Sequence, residues 1–396
     1  MKEKKTKKIS MAVLNDVKFD SRVLKEAGSL SKAGFDVTII GLISDREKNN
    51  FEELNGFKII RVPQATFNKN NFYKYFSSIF LYGNLTQKNI YYELLKNNSD
   101  FYHAHDLNTL LPCYRAAVKN KAKLIYDSHE LFMESIRTRS KKILNKTYNF
   151  LTRKYFAYIE KRYIKHATRV ITVNDKIADL FVNKYSIEKP IILLNAPIKK
   201  ININNINLRE ILNLPNESKL IIYQGGQDTS RAVPETIEAM KYINNEAYLI
   251  LIVIGDRSIL EKKVSENKLE KKVLFLDPVS PDQLISYIQS CDIGVIPFKI
   301  DNLNKKLGLP NKLFEYMAAK IAVVATEQPV IKEIIDKHHI GSYFKSPTPT
   351  VIAEAINKLL SSNLEKTKIN AFRAFNEHYN WEIEETKLIK LYNSII

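Results

Sequence analysis

The sequence predicts an α/β protein of two doubly wound parallel-sheet, Rossmann-like domains. Three observations carry this. A strand–helix–strand rhythm opens the chain, the same rhythm restarts after residue 198, and 396 residues exceed one ordinary domain. With 45% hydrophobic residues there is enough apolar side chain for two cores. The expected division is 1–197, 198–375 and a terminal helical segment, 376–396.

In chain order, Ile9–Leu14 reads as a strand, Ser21–Ala33 as a helix closed by Gly34, and Asp36–Leu42 as the second strand. The intervening loop, NDVKFDSRV, lies where such sheets bind ligands but lacks GxGxxG. Asp20 and Arg22 open the next helix, where Asp20 suits a plain helix cap. Phe57–Val62 is a further strand, and Phe67–Asn98 is helical in pattern. Asp100–His105, Leu107–Lys119 and Lys123–Asp127 then read as strand, helix, strand. His105-Asp106 and His129-Glu130 therefore fall at carboxyl ends of strands, on one face of the sheet. Two His and two acids without a third spaced ligand do not make a metal signature, so no metal is expected. Two histidines at neighbouring strand ends favour a functional role over a purely structural one.

Arg169–Val173, Asp175–Tyr185 and Ile191–Leu194 complete the first half. Asn195-Ala196-Pro197 and the polar run after it mark the domain boundary. In the second half, Lys219–Gln224 is a strand and Gly225-Gly226 a turn into the helix Arg231–Ile243. Glycines there let backbone N–H groups approach a pyrophosphate, and Arg231 can pair with it; a tight turn alone explains the same pair. Tyr248–Gly255, Val273–Asp277 and Asp292–Phe298 read as strands, and Ile259–Asn267 and Asp282–Ser290 as helices. KIDNLNKKLGLP reads as a polar loop.

The stretch Leu307–Pro329 holds the sharpest signal. Pro310 suits a first helical turn, Leu313, Phe314, Met317 and Ala318 form one apolar stripe, and Ile321–Ala325 is a buried strand. Lys312 conflicts with the positive end of its own helix, a conflict that a bound anion removes. Glu315, one turn on, could accept hydrogen bonds from sugar hydroxyls. A core helix with two solvated charges fits the same spacing. Val351–Leu360, Ala371–Glu377 and Trp381–Tyr392 pattern as helices, with Trp381 read as core.

The formal charge of +18 is compatible with nucleic acid, an anionic membrane surface or anionic small molecules. No nucleic-acid recognition module or zinc spacing is present, so no nucleic acid is expected. Between Arg137 and Lys165 there are ten Lys or Arg and one acid, interleaved with aromatic residues. That mixture suits a helix lying on an anionic bilayer, or a solvated helix packed by its apolar side. Cys113 and Cys291 fit reduced core residues of a cytoplasmic protein. The basic N-terminus has too short an apolar run for a signal peptide.

GLPNKLFEYMAA followed by a short strand closely resembles the donor-site segment of family-4 glycosyltransferases of the GT-B fold. HAHD, SHELF, VITVND, ILLNAP and YQGG resemble family segments in the same order, over nearly the whole chain. The resemblance implies two domains facing across a cleft and retaining, metal-independent transfer of a sugar from a nucleotide sugar to a hydroxyl. A UDP-sugar is favoured and a GDP-sugar possible, with a glycan or lipid-linked acceptor in cell-surface polysaccharide synthesis. It implies donor contacts at Gly225, Gly226, Arg231, Gly255, Val279, Asn311, Lys312 and Glu315. It further implies acceptor contacts at Asp20, Arg22, His129 and Glu130, and a catalytic set of His105, Arg231, Lys312 and Glu315. The terminal helices would brace the first domain. The family's second Glu is Leu307 here, and where the family commonly has GR followed by KG this sequence has Gly225-Gly226 and Arg231-Ala232, so one of two usual cations is absent and Arg231 and Lys312 would share the pyrophosphate. A nucleotide-sugar epimerase of the same shape, or a non-catalytic sugar-nucleotide-binding scaffold, is the alternative. No cofactor is expected.

Overall fold

The computed structural model describes residues 6–45, 47–64, 83–135, 143–199, 206–243 and 246–396. The chain forms two compact units: Met1–Asn195 with Glu384–Ile396, and Ala196–Ile383.

Unit 1 carries an eight-stranded sheet of order β3-β4-β2-β1-β5-β6-β7-β8. The strands are β1 (Lys8–Ala12), β2 (Asp36–Leu42), β3 (Phe51–Leu54), β4 (Phe57–Val62), β5 (Phe101–His105), β6 (Lys123–Ser128), β7 (Arg169–Thr172) and β8 (Ile191–Ile192). All pairings are parallel except β3 with β4. The apolar runs ISMA, VTIIGL and FYHAH are buried, as a parallel sheet covered on both faces requires. Strand order reverses between β1 and β5, so the ligand-binding end of this sheet lies at Val13–Asp20 and His105-Asp106. Sequence pattern does not foresee β3. Its FEEL sequence alternates between exposed and half-buried residues at the sheet edge and offers little apolar signal.

Unit 2 carries a six-stranded parallel sheet of order β11-β10-β9-β12-β13-β14. Here β9 is Lys219–Gly226, β10 Ala247–Ile254, β11 Val273–Leu276, β12 Ile293–Ile296, β13 Ala322–Thr326 and β14 Gly341–Phe344. Its core gathers Ile221, Leu249, Leu251, Ile293, Val295 and Val324 against the helix Pro349–Leu360. The switch point lies between β9 and β12, where Gly225-Gly226 end one strand.

Several boundaries differ from those expected. Arg231 precedes its helix, which runs Val233–Ala239, because Arg231 bridges to Phe298 instead. Pro310 is extended at the N-cap, and the helix is Asn311–Ala318. The loop expected at KIDNLNKKLGLP contains a helix, Leu303–Leu307, capped by the Asn302 side chain. The two terminal helices are Leu364–His378 and Trp381–Asn393, with Trp381 buried. Of the stretch Phe67–Asn98, residues 67–82 lie outside the described residues, and Gly83–Asn97 is helical.

Candidate functional site

Each unit gathers polar residues at the carboxyl end of its own sheet. In unit 2 the strand β9 delivers Tyr223, Gln224 and Gly225, and the helix Asn311–Ala318 faces them. Lys312 is buried, donates from Nζ to the Gln224 carbonyl at 2.8 Å, and lies 4.2 Å from the Tyr223 ring centroid. Arg231 Nε donates to Asp228 at 3.1 Å, and its guanidinium lies 5.5 Å from the Phe298 ring, which Lys305 Nζ also approaches, at 4.9 Å. Gly225 holds φ at +128°, and a Cβ there would meet Lys312 Nζ at 3.3 Å and Arg231 Nη1 at 3.4 Å. Only glycine leaves the strand end open to these two cations.

The electrostatics follow from crowding. Burial, then repulsion from Arg231, pushes the Lys312 ammonium well below its ordinary pKa; Glu315 pulls it back in part, and Lys305 lowers it further. Burial would raise Asp228, but bonds from Ser230 and Arg231 bring it down to about 2. Glu315 accepts a hydrogen bond from the Gln224 amide, which fixes the carboxylate one helical turn from Lys312. Three basic side chains thus crowd beside two acids, and an arriving anion would relieve the repulsion that represses the Lys312 ammonium.

Asn311 is exposed at the first turn of the helix, whose N-cap Pro310 offers no side-chain bond. Gly255, at φ +102°, follows β10 beside the Gly226 end of β9. Val279 is half-buried in the turn after β11. Lys305, Gln224 and Phe298 were not singled out from sequence. Their signal lies in the switch-point topology, which needs the strand order.

In unit 1 the parallel register sets His105 beside Asp127. Arg22 is buried and grips Asp127 through Nε and Nη2, at 2.9 and 2.8 Å, while Nη1 donates to the Leu193 carbonyl. Its Nε also lies 2.9 Å from Glu26. Arg22 therefore holds the interior of the unit together and presents no surface. Asp20 caps its helix, accepting from the Val23 N–H, and also receives a bond from Asn15. His105 too is fully buried, with its ring stacked on His103 at 4.3 Å between centroids. His103 Nδ1 meets the Tyr392 hydroxyl at 2.9 Å.

The partly exposed members are His129, Asp106 and Glu130. His129 Nε2 lies 3.2 Å from Asp127 and 3.1 Å from His105 Nδ1, and its Nδ1 lies 3.5 Å from Asp106. Asp106 adopts φ +63°, a strained conformation outside glycine. Burial would depress His129, but Asp106 and Asp127 raise it to about 9. Burial likewise opposes ionisation of Asp127, yet Arg22 and His129 hold it well below the usual range. Glu26 moves the other way, raised by burial and by Asp127. Glu26, His103, His105 and Asp127 bring one ligand-type atom each within 4.8 Å of one another. Arg22 contacts both carboxylates, so a metal ion there would face the guanidinium, and these residues do not fit one.

Within the basic segment, the helix Ile143–Tyr163 buries Ile159 and Glu160, and Glu160 accepts from Tyr126 and Tyr185. Its outer side exposes Phe150, Leu151, Arg153, Lys154, Tyr158, Lys161 and Arg162. Residues 137–142 lie outside the described residues. No helix among the described residues is long and apolar enough to cross a membrane. Cys113 and Cys291 are buried and unpaired, and burial raises both thiols.

Two family models match the chain: Glycosyltransferase Family 4 over residues 21–198 and Glycosyl transferases group 1 over residues 204–373. The O-antigen chain mannosyltransferase RfbU of Salmonella typhimurium is 22% identical over 204 residues, 50% of this chain and 52% of that protein. Matches to curated relatives span 29% to 52% of those relatives' own length. Among solved structures, sucrose-phosphate synthase from Thermosynechococcus elongatus superposes with TM-score 0.80 at 16% identity, over 98% of this chain and 99% of that one. Anabaena HepE in complex with UDP-glucose gives 0.73 at 14% identity, over 98% and 100%. With both units matched in sequence and the whole chain matched in fold, the protein belongs to the family-4 glycosyltransferases of the GT-B fold.

Proposed function

We propose that the protein is a retaining, metal-independent glycosyltransferase that moves a sugar from a nucleotide sugar, a UDP-sugar first, to a hydroxyl of a glycan or lipid-linked acceptor in cell-surface polysaccharide synthesis. The observation that carries this is the meeting of Arg231 and Lys312 at the Gly225 strand end in unit 2, with Lys305 adding its charge through Lys312 and the shared Phe298 ring. A pyrophosphate supplies the missing negative charge. The same cations then stabilise the departing nucleoside diphosphate as the sugar becomes cationic. Glu315, oriented by Gln224, accepts from sugar hydroxyls, and Gly226, Gly255, Val279 and Asn311 complete the donor's surroundings. The acceptor belongs to unit 1, near His129 and Glu130, with Arg22 and Asp20 supporting from within. The similar fold of HepE, solved with UDP-glucose, and the sequence similarity to the mannosyltransferase RfbU support the substrate class.

The exposed aromatic and basic side of Ile143–Tyr163 supports peripheral contact with an anionic membrane from the cytoplasmic side. Flotation with anionic vesicles and none with neutral ones is the expected result; equal behaviour removes this reading.

The deciding experiment incubates the protein with UDP- and GDP-sugars and a panel of lipid-linked glycans in chelator, and reads the product's anomeric configuration by NMR. Retention is expected. Turnover of the donor to an isomeric nucleotide sugar without acceptor indicates an epimerase, and binding without product a scaffold.

A further inference from the structure

The pole of unit 1 contains a histidine whose hydrogen-bonding state is decided by its neighbours. Both ring nitrogens of His129 face carboxylates: Nε2 lies 3.2 Å from Asp127 Oδ2, and Nδ1 lies 3.5 Å from Asp106 Oδ2. Asp127 is gripped by two Arg22 nitrogens and is an acceptor only. A lone pair on His129 Nε2 would point at that anion, so Nε2 must carry hydrogen. The second partner of Nε2 is His105 Nδ1 at 3.1 Å, which must then accept. The competing arrangement, His105 Nδ1–H donating to Asp127, spans 3.6 Å and exceeds hydrogen-bond range. A neutral imidazole that accepts at Nδ1 holds its proton at Nε2. His105 Nε2 is buried and has no hydrogen-bond partner among the described residues.

We propose that His129 is a positioning residue that locks His105 in the Nε2–H form, leaving a fixed neutral donor aimed at an oxygen of a bound sugar or acceptor. The proposal rests on the proposed function only for the identity of that oxygen. Its chemical content is an exclusion as well as an assignment. With no lone pair at Nε2, and with Nδ1 already accepting from His129, His105 cannot take a proton from an acceptor hydroxyl. Deprotonation in this chain must then fall to another group.

The charges around the pair are consistent with this state. From the helix Ser21–Lys32 and its cap come Asp20, Arg22 and Glu26; from β5 and its end come His103 and Asp106; from β6 and its end come Asp127 and Glu130; Tyr392 faces in from the terminal helix. Burial depresses His103 and His105, which keeps both neutral, while the flanking acids raise His129.

The test is two-bond proton–nitrogen NMR on the full chain labelled with 15N-histidine, its seven histidines assigned by single substitution. At pH 7 the expected pattern is a doubly protonated His129 and a neutral His105 with its proton on Nε2. His129→Gln keeps an amide N–H for His105 and should preserve the pattern; His129→Leu should shift His105 toward the Nδ1–H form. A wild-type His105 protonated on Nδ1, or identical His105 spectra in the two variants, overturns the proposal. If His129→Leu does not fold, the wild-type spectrum alone decides. No donor is present, so this result stands apart from success or failure of the transferase assay.

Discussion

Replacing Arg22 by Met tests how unit 1 is held together. Arg22 is 3% exposed and Asp127 and Glu26 are fully buried, so water cannot take over the lost contacts. The substitution removes two charge-assisted bonds to Asp127 and one to the Leu193 carbonyl. Breaking a buried pair from one side costs about 3–5 kcal/mol, because the abandoned charge stays desolvated. His129 still faces Asp127, and Glu26 is already shifted toward its neutral form. The lower end, about 3 kcal/mol, is therefore expected. Hydrogen–deuterium exchange of β5 and β6 reads unit 1 alone, and their slowest amides should lose that much protection. Asp127→Asn should cost a similar amount. The double variant Arg22→Met/Asp127→Asn should cost clearly less than the sum, since neither partner is left alone. A loss under about 0.5 kcal/mol in Arg22→Met, or additivity within that margin, refutes the argument.

In unit 2, the repressed Lys312 ammonium should hold its proton more tightly when an anion arrives, so UDP binding should be accompanied by proton uptake. Calorimetry in buffers of different ionisation enthalpy measures this, and Lys312→Met should abolish it. Gly225→Ala places a methyl against both cations in a backbone region that costs a side chain about 1–3 kcal/mol. UDP affinity should fall at least about tenfold, and an unchanged dissociation constant contradicts the site. His129 is raised from about 6.5 unfolded to about 9 folded, so its contribution is fully present below pH 6.5 and is lost as pH rises through about 9. That contribution is about 3 kcal/mol at most, at about 1.4 kcal/mol per pH unit. The stability gap between wild type and His129→Gln should therefore shrink between pH 7 and 9.5; a gap independent of pH counts against the ion triad.

Much of the fold was legible because parallel strands are buried on both faces and leave unbroken apolar runs. Asp36–Leu42 and Phe57–Val62 coincide with their expected bounds. The edge strand Phe51–Leu54 and the single helical turn Leu303–Leu307 were not, since neither has an apolar face long enough to register. At the sites, sequence singled out Lys312, Glu315 and Arg231 as candidates through local conflict and spacing, and the structure brings them together. It could not identify Lys305 or Gln224, which matter only once β9 and β12 are neighbours. Arg22 illustrates the reverse limit. Its place at a helix start near a ligand-binding strand end pointed outward to an acceptor, and only the register of Asp127 and the turn at Leu193 draw it inside. Glu26, His103 and Tyr392 escaped notice for the same reason, being spread over 366 positions of chain and joined only by packing.

The proposed function stands on a nucleoside diphosphate site at the Gly225 end of β9. Thermal unfolding of the full chain in chelator with UDP-, GDP-, ADP- and dTDP-sugars tests it most directly, because a ligand that binds only the folded state raises the melting temperature by mass action. The expected result is a rise with one base, UDP first, that grows with concentration and disappears in Lys312→Met. No rise with any nucleotide, or an undiminished rise in Lys312→Met, contradicts it.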